Sequence, residues 1–112
     1  MLTSTPLPVR VPVPGTPVRI LDVAPISDNN HRVHGVMIQV FPGNTGILYV
    51  GNGDLNKGTY VGVHAFLAIP TVNFIPTFSA ALTIAPNAID LAKLYLDAAV
   101  AQNGAIITYL LA

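Results

Sequence analysis

Apolar and polar residues alternate with period two along much of the chain, and the alternation is broken about every ten residues by proline, glycine or asparagine. The clearest case is Val36, Ile38 and Val40 set against Met37, Gln39 and Phe41, a strand with one buried face that Pro42 and Gly43 close. Val18, Ile20 and Val23 around Arg19 and Asp22 predict an earlier strand, and residues 27–30 (Ser27, Asp28, Asn29, Asn30) read as the turn after it. Residues 47–50 are β-prone and lie between Gly46 and the run Gly51, Asn52, Gly53. Residues 61–69, 72–78 and 81–84 supply further short apolar runs, punctuated by Pro70, Pro76 and Pro86, and residues 106–109 make a final strand. This spacing predicts an all-β domain of short antiparallel strands, a sandwich or a barrel.

Two stretches depart from the pattern. Over 88–102, Asn87 suits a helix cap, alanine and leucine dominate, and Gly104 suits the far cap. In the same stretch Leu94 and Leu96 alternate with Lys93, Tyr95 and Asp97, and Asn103-Gly104 suits a two-residue hairpin. Helix and strand both remain open on pattern alone. The other departure is the N-terminus, where five of the ten prolines fall within residues 1–17 (Pro6, Pro8, Pro12, Pro14, Pro17). Proline fixes φ and removes a backbone donor, so helix and central strand are excluded there. Residues 1–17 are therefore expected to form an extended arm ahead of a domain spanning 18–112. Leu7, Val9, Val11 and Val13 form its apolar edge, expected to leave the domain and pack on a neighbouring subunit; a disordered tail is the alternative.

Composition sharpens this picture. Only 9% of the 112 residues are charged and 52% are apolar, against about 25% charged in an ordinary soluble protein. Arg10, Arg19, Arg32, Lys57 and Lys93 balance five aspartates, and glutamate is absent. Too little charge exists to cover a free surface, so a homo-oligomer or larger assembly is expected, because interface cores are depleted of charge. Net charge is zero, which lacks the basic footprint of a nucleic-acid binder. No Asp, Glu, Lys or Arg lies between Lys57 and Asp90, yet Pro70, Pro76, Pro86 and several glycines leave no apolar run of membrane-spanning length. The first residues lack the basic head and apolar body of a secretory signal, so none is expected. Cysteine is absent, which excludes disulfides and thiolate metal sites.

The chemistry-bearing residues do not converge. His31 and His34, three apart in a strand, point to opposite faces, and no glutamate is present to join them and His64 as ligands. Asp54, Asn56 and Gly58 have the start of a calcium loop, but Lys57 stands among the ligand positions and no carboxylate closes it; a glycine-rich hairpin is the better reading. Ser4, Ser27 and Ser79 lie in no nucleophile-elbow context. No catalytic residue, cofactor or metal is expected, and the protein reads as a non-enzyme. A carbohydrate-binding module is the competing reading, with Tyr49 and Tyr60 as its one plausible stacking pair and no tryptophan to help.

Three stretches taken together, residues 43–51 (GNTGILYVG), the central GVHAFLAIP and residues 87–111 (NAIDLAKLYLDAAVAQNGAIITYLL), resemble small structural proteins of tailed-bacteriophage virions. The likeness covers residues 36–111. It implies a small antiparallel β-sandwich, jelly-roll-like, that cements or decorates a capsid, with neck, tail or baseplate as alternatives. It also implies a short turn over 89–92 followed by a strand over 93–98. The partners it implies are other virion proteins, above all the major capsid protein, and the location is the virion. The proline-rich arm is not part of the shared pattern.

Overall fold

Strands form where small β-branched and aromatic residues alternate, and in the computed structural model, which describes residues 2–23, 32–81 and 89–111, they account for most of the regular structure. The strands are β1 (Leu2–Thr3), β2 (Leu7–Arg10), β3 (Val18–Arg19), β4 (Arg32–Val33), β5 (Gly35–Val40), β6 (Leu48–Gly51), β7 (Val63–Leu67), β8 (Thr77–Ala81), β9 (Ile89–Asp90), β10 (Tyr95–Ala98) and β11 (Gly104–Leu111). Among the described residues all pairings are antiparallel, and helix is limited to one turn, α1 (Ile20–Val23), and a 3-10 turn over Leu91–Lys93. The fold is all-β.

One sheet has the order β1-β11-β5-β8, with β2 pairing the same strand β11; a second has the order β3-β10-β6-β7, and β4 pairs β9 in a separate ribbon. Val36, Ile38 and Val40 are buried while Met37 is exposed, as the period-two pattern predicts. They join Val9, Ile107 and Tyr109 of their own sheet and Leu48, Val50, Leu67 and Leu96 of the other in a single hydrophobic cluster. That shared burial is the main force holding the two sheets together.

The N-terminal segment corrects the sequence expectation. Residues 1–17 are not an arm set apart from an 18–112 domain: β1 and β2 both pair with β11, and Val9 and Val11 are buried in the common core. Proline is tolerated because β2 lies at a sheet edge. The Val11 amide donates to the Asn103 carbonyl at 2.9 Å, so the alternation turns the Pro8 nitrogen away from β11, where no ladder bond is lost. The crossover that follows is pinned by Asp97, which is buried and accepts from the Gly15 amide at 2.9 Å and its neighbour Ala98 at 2.8 Å.

Two further expectations change. The strand predicted over 18–23 stops after Arg19, because the Ile20 amide bonds the Leu94 carbonyl at 3.0 Å and Arg19 Nε donates to Asp22 Oδ1 at 2.9 Å, closing one helical turn. The helix reading of 88–102 loses: the Asp90 side chain caps the 3-10 turn through the Ala92 amide at 2.9 Å, and Leu94, Leu96 and Ala98 then alternate into the core. Asn103-Gly104 is not the centre of a two-residue hairpin; β10 and β11 are joined by residues 99–103, with Gln102 at φ 67. The turn at 27–30, His31 and residues 82–84 lie outside the described residues.

Candidate functional site

The arm residues singled out in the sequence do not form a common outward surface. Val9 and Val11 are in the core, Leu7 packs against it half-buried, and Val13 is exposed on the crossover. The exposed apolar residues concentrate elsewhere. Tyr60, Val61, Phe66, Ile69, Val72 and Phe74 are all exposed, Val72 completely so, and all belong to the β6–β7 loop, strand β7 or the β7–β8 connection. Sequence reasoning missed this concentration, although its signal was present in the charge-free interval between Lys57 and Asp90.

The local structure explains the exposure. After β6 the chain enters a self-bonded loop. Asn52 Oδ1 accepts from Asp54, Asn56 Oδ1 accepts from Gly58 and Thr59, and buried Leu55 anchors the loop from beneath. A Cβ at Gly51 would lie 2.1 Å from the Gly62 carbonyl oxygen, so only glycine permits the loop's two ends to close on each other. The loop is the glycine-rich hairpin connection expected from sequence. It delivers Tyr60 at φ 66, a left-handed conformation unfavourable for a tyrosine, onto the ring of Phe66. Phe66 stands between Tyr60 at 5.4 Å and Tyr49 at 5.6 Å, both edge-on, so Tyr49 and Tyr60 are joined through a third ring. Beyond β7, Thr71 and Phe74 bridge across a tight turn that carries Val72 outward.

Among the described residues β7 and β8 end their respective sheets and lie beside one another, so two sheet edges fall on the same flank. Close to that flank is a cavity of about 570 Å³. Val36, Phe78, Ile89 and Leu94 give it an apolar lining, while Arg32, His64, Asp90 and Lys93 supply its polar groups, with Arg32 Nη2 at 3.7 Å from Asp90 Oδ2. Among the described residues no three histidine or carboxylate side chains gather as metal ligands. His34 is half-buried and His64 exposed.

Two of the stretches that carried the phage resemblance meet at the β5–β6 and β10–β11 connections. Asn44 Nδ2 donates to the Gly104 carbonyl at 2.8 Å, and Asn44 Oδ1 accepts from the Gly104 amide at 3.1 Å. Asn103 Oδ1 accepts in turn from Thr45 at 2.9 Å and Gly46 at 3.0 Å. The β5–β6 and β10–β11 connections are therefore locked by a reciprocal exchange between asparagine side chains and backbone. These residues have a structural task in this chain.

No helix among the described residues is long and apolar enough to cross a membrane. Comparison of the chain with protein-family models, with curated proteins and with solved structures gives no match.

Proposed function

We propose that this chain is a non-enzymatic structural protein of a tailed-bacteriophage virion, a capsid cement or decoration protein that binds the outer shell and stabilises it through subunit interfaces. The observation that carries the reading is the uncharged, apolar flank formed by Tyr60, Val61, Phe66, Ile69, Val72 and Phe74. Exposed apolar side chains concentrated in this way cost solubility unless a partner covers them, and such a concentration marks a protein interface. The resemblance of residues 36–111 selects the virion as the setting, and the major capsid protein as the partner beside further copies of this chain.

Strand order supports the finer fold. With β2, β3, β5, β6, β7, β8, β10 and β11 counted one to eight, the two sheets run 1-8-3-6 and 2-7-4-5. Two interlocked Greek keys generate that order, so the fold reads as a small jelly-roll β-sandwich, an architecture common to capsid and lectin domains. Neck, tail or baseplate is the alternative location. A carbohydrate-binding module is the second reading, favoured by the Tyr49–Phe66–Tyr60 cluster, of which Phe66 and Tyr60 are exposed.

The test is co-purification. Particles of a phage encoding this chain, banded on a density gradient, should contain it in a fixed ratio to the major capsid protein by mass spectrometry. A chain found only in the soluble fraction of the lysate sinks the proposal. Saturable quenching of tyrosine fluorescence by host-surface oligosaccharides, lost in Phe66→Ala, would select the second reading.

A further inference from the structure

The four outer edges of the two sheets are not guarded alike. On one flank β2 carries Pro8 and Arg10, and β3 is two residues long and ends in the Arg19–Asp22 ion pair. Proline, charge and shortness are the devices by which an edge strand is kept from pairing with another chain. On the opposite flank β7 is Val63-His64-Ala65-Phe66-Leu67, with neither proline nor any aspartate, glutamate, lysine or arginine, and β8 is equally uncharged. The register irregularity between β6 and β7 falls at Gly51, opposite the first residue of β7, and leaves residues 65–67 in regular register with 48–50.

We infer that β7 is the docking edge for a second copy of this chain, which adds its own β7 antiparallel about a twofold axis and continues the sheet β3-β10-β6-β7 into the partner. The inference rests on the assembly reading above and names the partner at that flank. A second copy is the occupant the observations favour for two reasons. An antiparallel pairing of one strand with itself about a twofold is self-complementary in its backbone donors and acceptors, so the free edge of β7 is matched by the free edge of another β7. Strands β7 and β8 themselves carry no aspartate, glutamate, lysine or arginine that would call for an oppositely charged partner, and the zero net charge of the chain sets up no repulsion between copies. Phe66 is the anchor. Its ring is held between Tyr49 and Tyr60 before any contact is made, so little side-chain freedom is lost when it is covered. The left-handed Tyr60 is held in place by its loop, whose Asn56 carbonyl accepts from the Tyr60 amide at 2.8 Å, so the cluster is set before docking.

Sedimentation velocity of the full chain should show a dimer or larger species at micromolar concentration. Phe66→Lys should raise the dissociation constant by about tenfold or more, since a charge is placed on the pairing edge. Met37→Lys, on the exposed face of the central strand β5, should leave it unchanged. Because the chain has no cysteine, a second readout is independent of affinity. Val63→Cys, His64→Cys, Ala65→Cys, Phe66→Cys and Leu67→Cys, made one at a time, should include at least one variant that oxidises rapidly to a disulfide-linked dimer, while Met37→Cys does not. A monomeric wild-type chain overturns the inference, as does an oligomer in which none of the five cysteines cross-links. In the latter case, or if the chain is monomeric in solution yet present on particles, the assembly reading survives and the flank binds another virion protein instead.

Discussion

Asn44 and Asn103 illustrate how much of this fold is fixed by single side chains that act as backbone. Each is buried, and each satisfies backbone groups of the connection opposite. Asn103→Ala should therefore cost about 2 kcal/mol, since it strands the Thr45 and Gly46 amides, a loss readable in urea unfolding. Gly104→Ala should cost as much or more for a steric reason. A Cβ there would lie 2.0 Å from the Val9 carbonyl oxygen, and β2 would have to move away from β11. The Asn-Gly dipeptide and the Asn-Thr-Gly triplet were visible in the sequence as punctuation. Their reciprocal pairing was not, because it joins residues 60 positions apart and depends on the antiparallel return of β11. Asp97 is a similar case, an aspartate that reads as a solvated strand residue and is spent on a proline-rich crossover 82 positions away.

At the scale of elements, alternation was a reliable guide wherever both faces of a strand have distinct surroundings, as in β5, β6 and β11. It misled at the N-terminus. Proline frequency argues against a place for residues 7–10 in their own sheet, whereas proline at alternate positions of an edge strand costs no ladder bond, and edge position is a tertiary property. A consequence is that deleting residues 2–11 should abolish cooperative unfolding in a thermal melt. Val9 and Val11 are each worth about 1.5–3 kcal/mol of burial, against a total stability of about 5–15 kcal/mol for a domain of this kind. A truncated chain that melts like the full one would restore the detachable arm. For residues 88–102, local propensity favoured a helix and lost to the pairing of β10 with β3 and β6. Far-ultraviolet circular dichroism should accordingly show a β spectrum with helix well below the about 30% of ordinary globular chains.

At the scale of the whole molecule the charge distribution connects fold to assembly. The guarded edges and the ion pair at Arg19 and Asp22 sit on one flank, and the exposed Tyr60, Val61, Phe66, Ile69, Val72 and Phe74 belong to the other, with β7 and β8, which end their sheets among the described residues. Composition alone leads to the expectation of buried surface, and which flank would offer it depends on which strands end the sheets. The chain in this account is a subunit whose exposed flank is completed by neighbours, and that claim is tested most directly on the particle itself. Electron microscopy of intact virions carrying a gold-labelled form of this chain should place the label in a regular array on the head, the result expected of a cement or decoration protein. Label at the tail or neck would select the alternative location, and particles that carry no label at all would contradict the account.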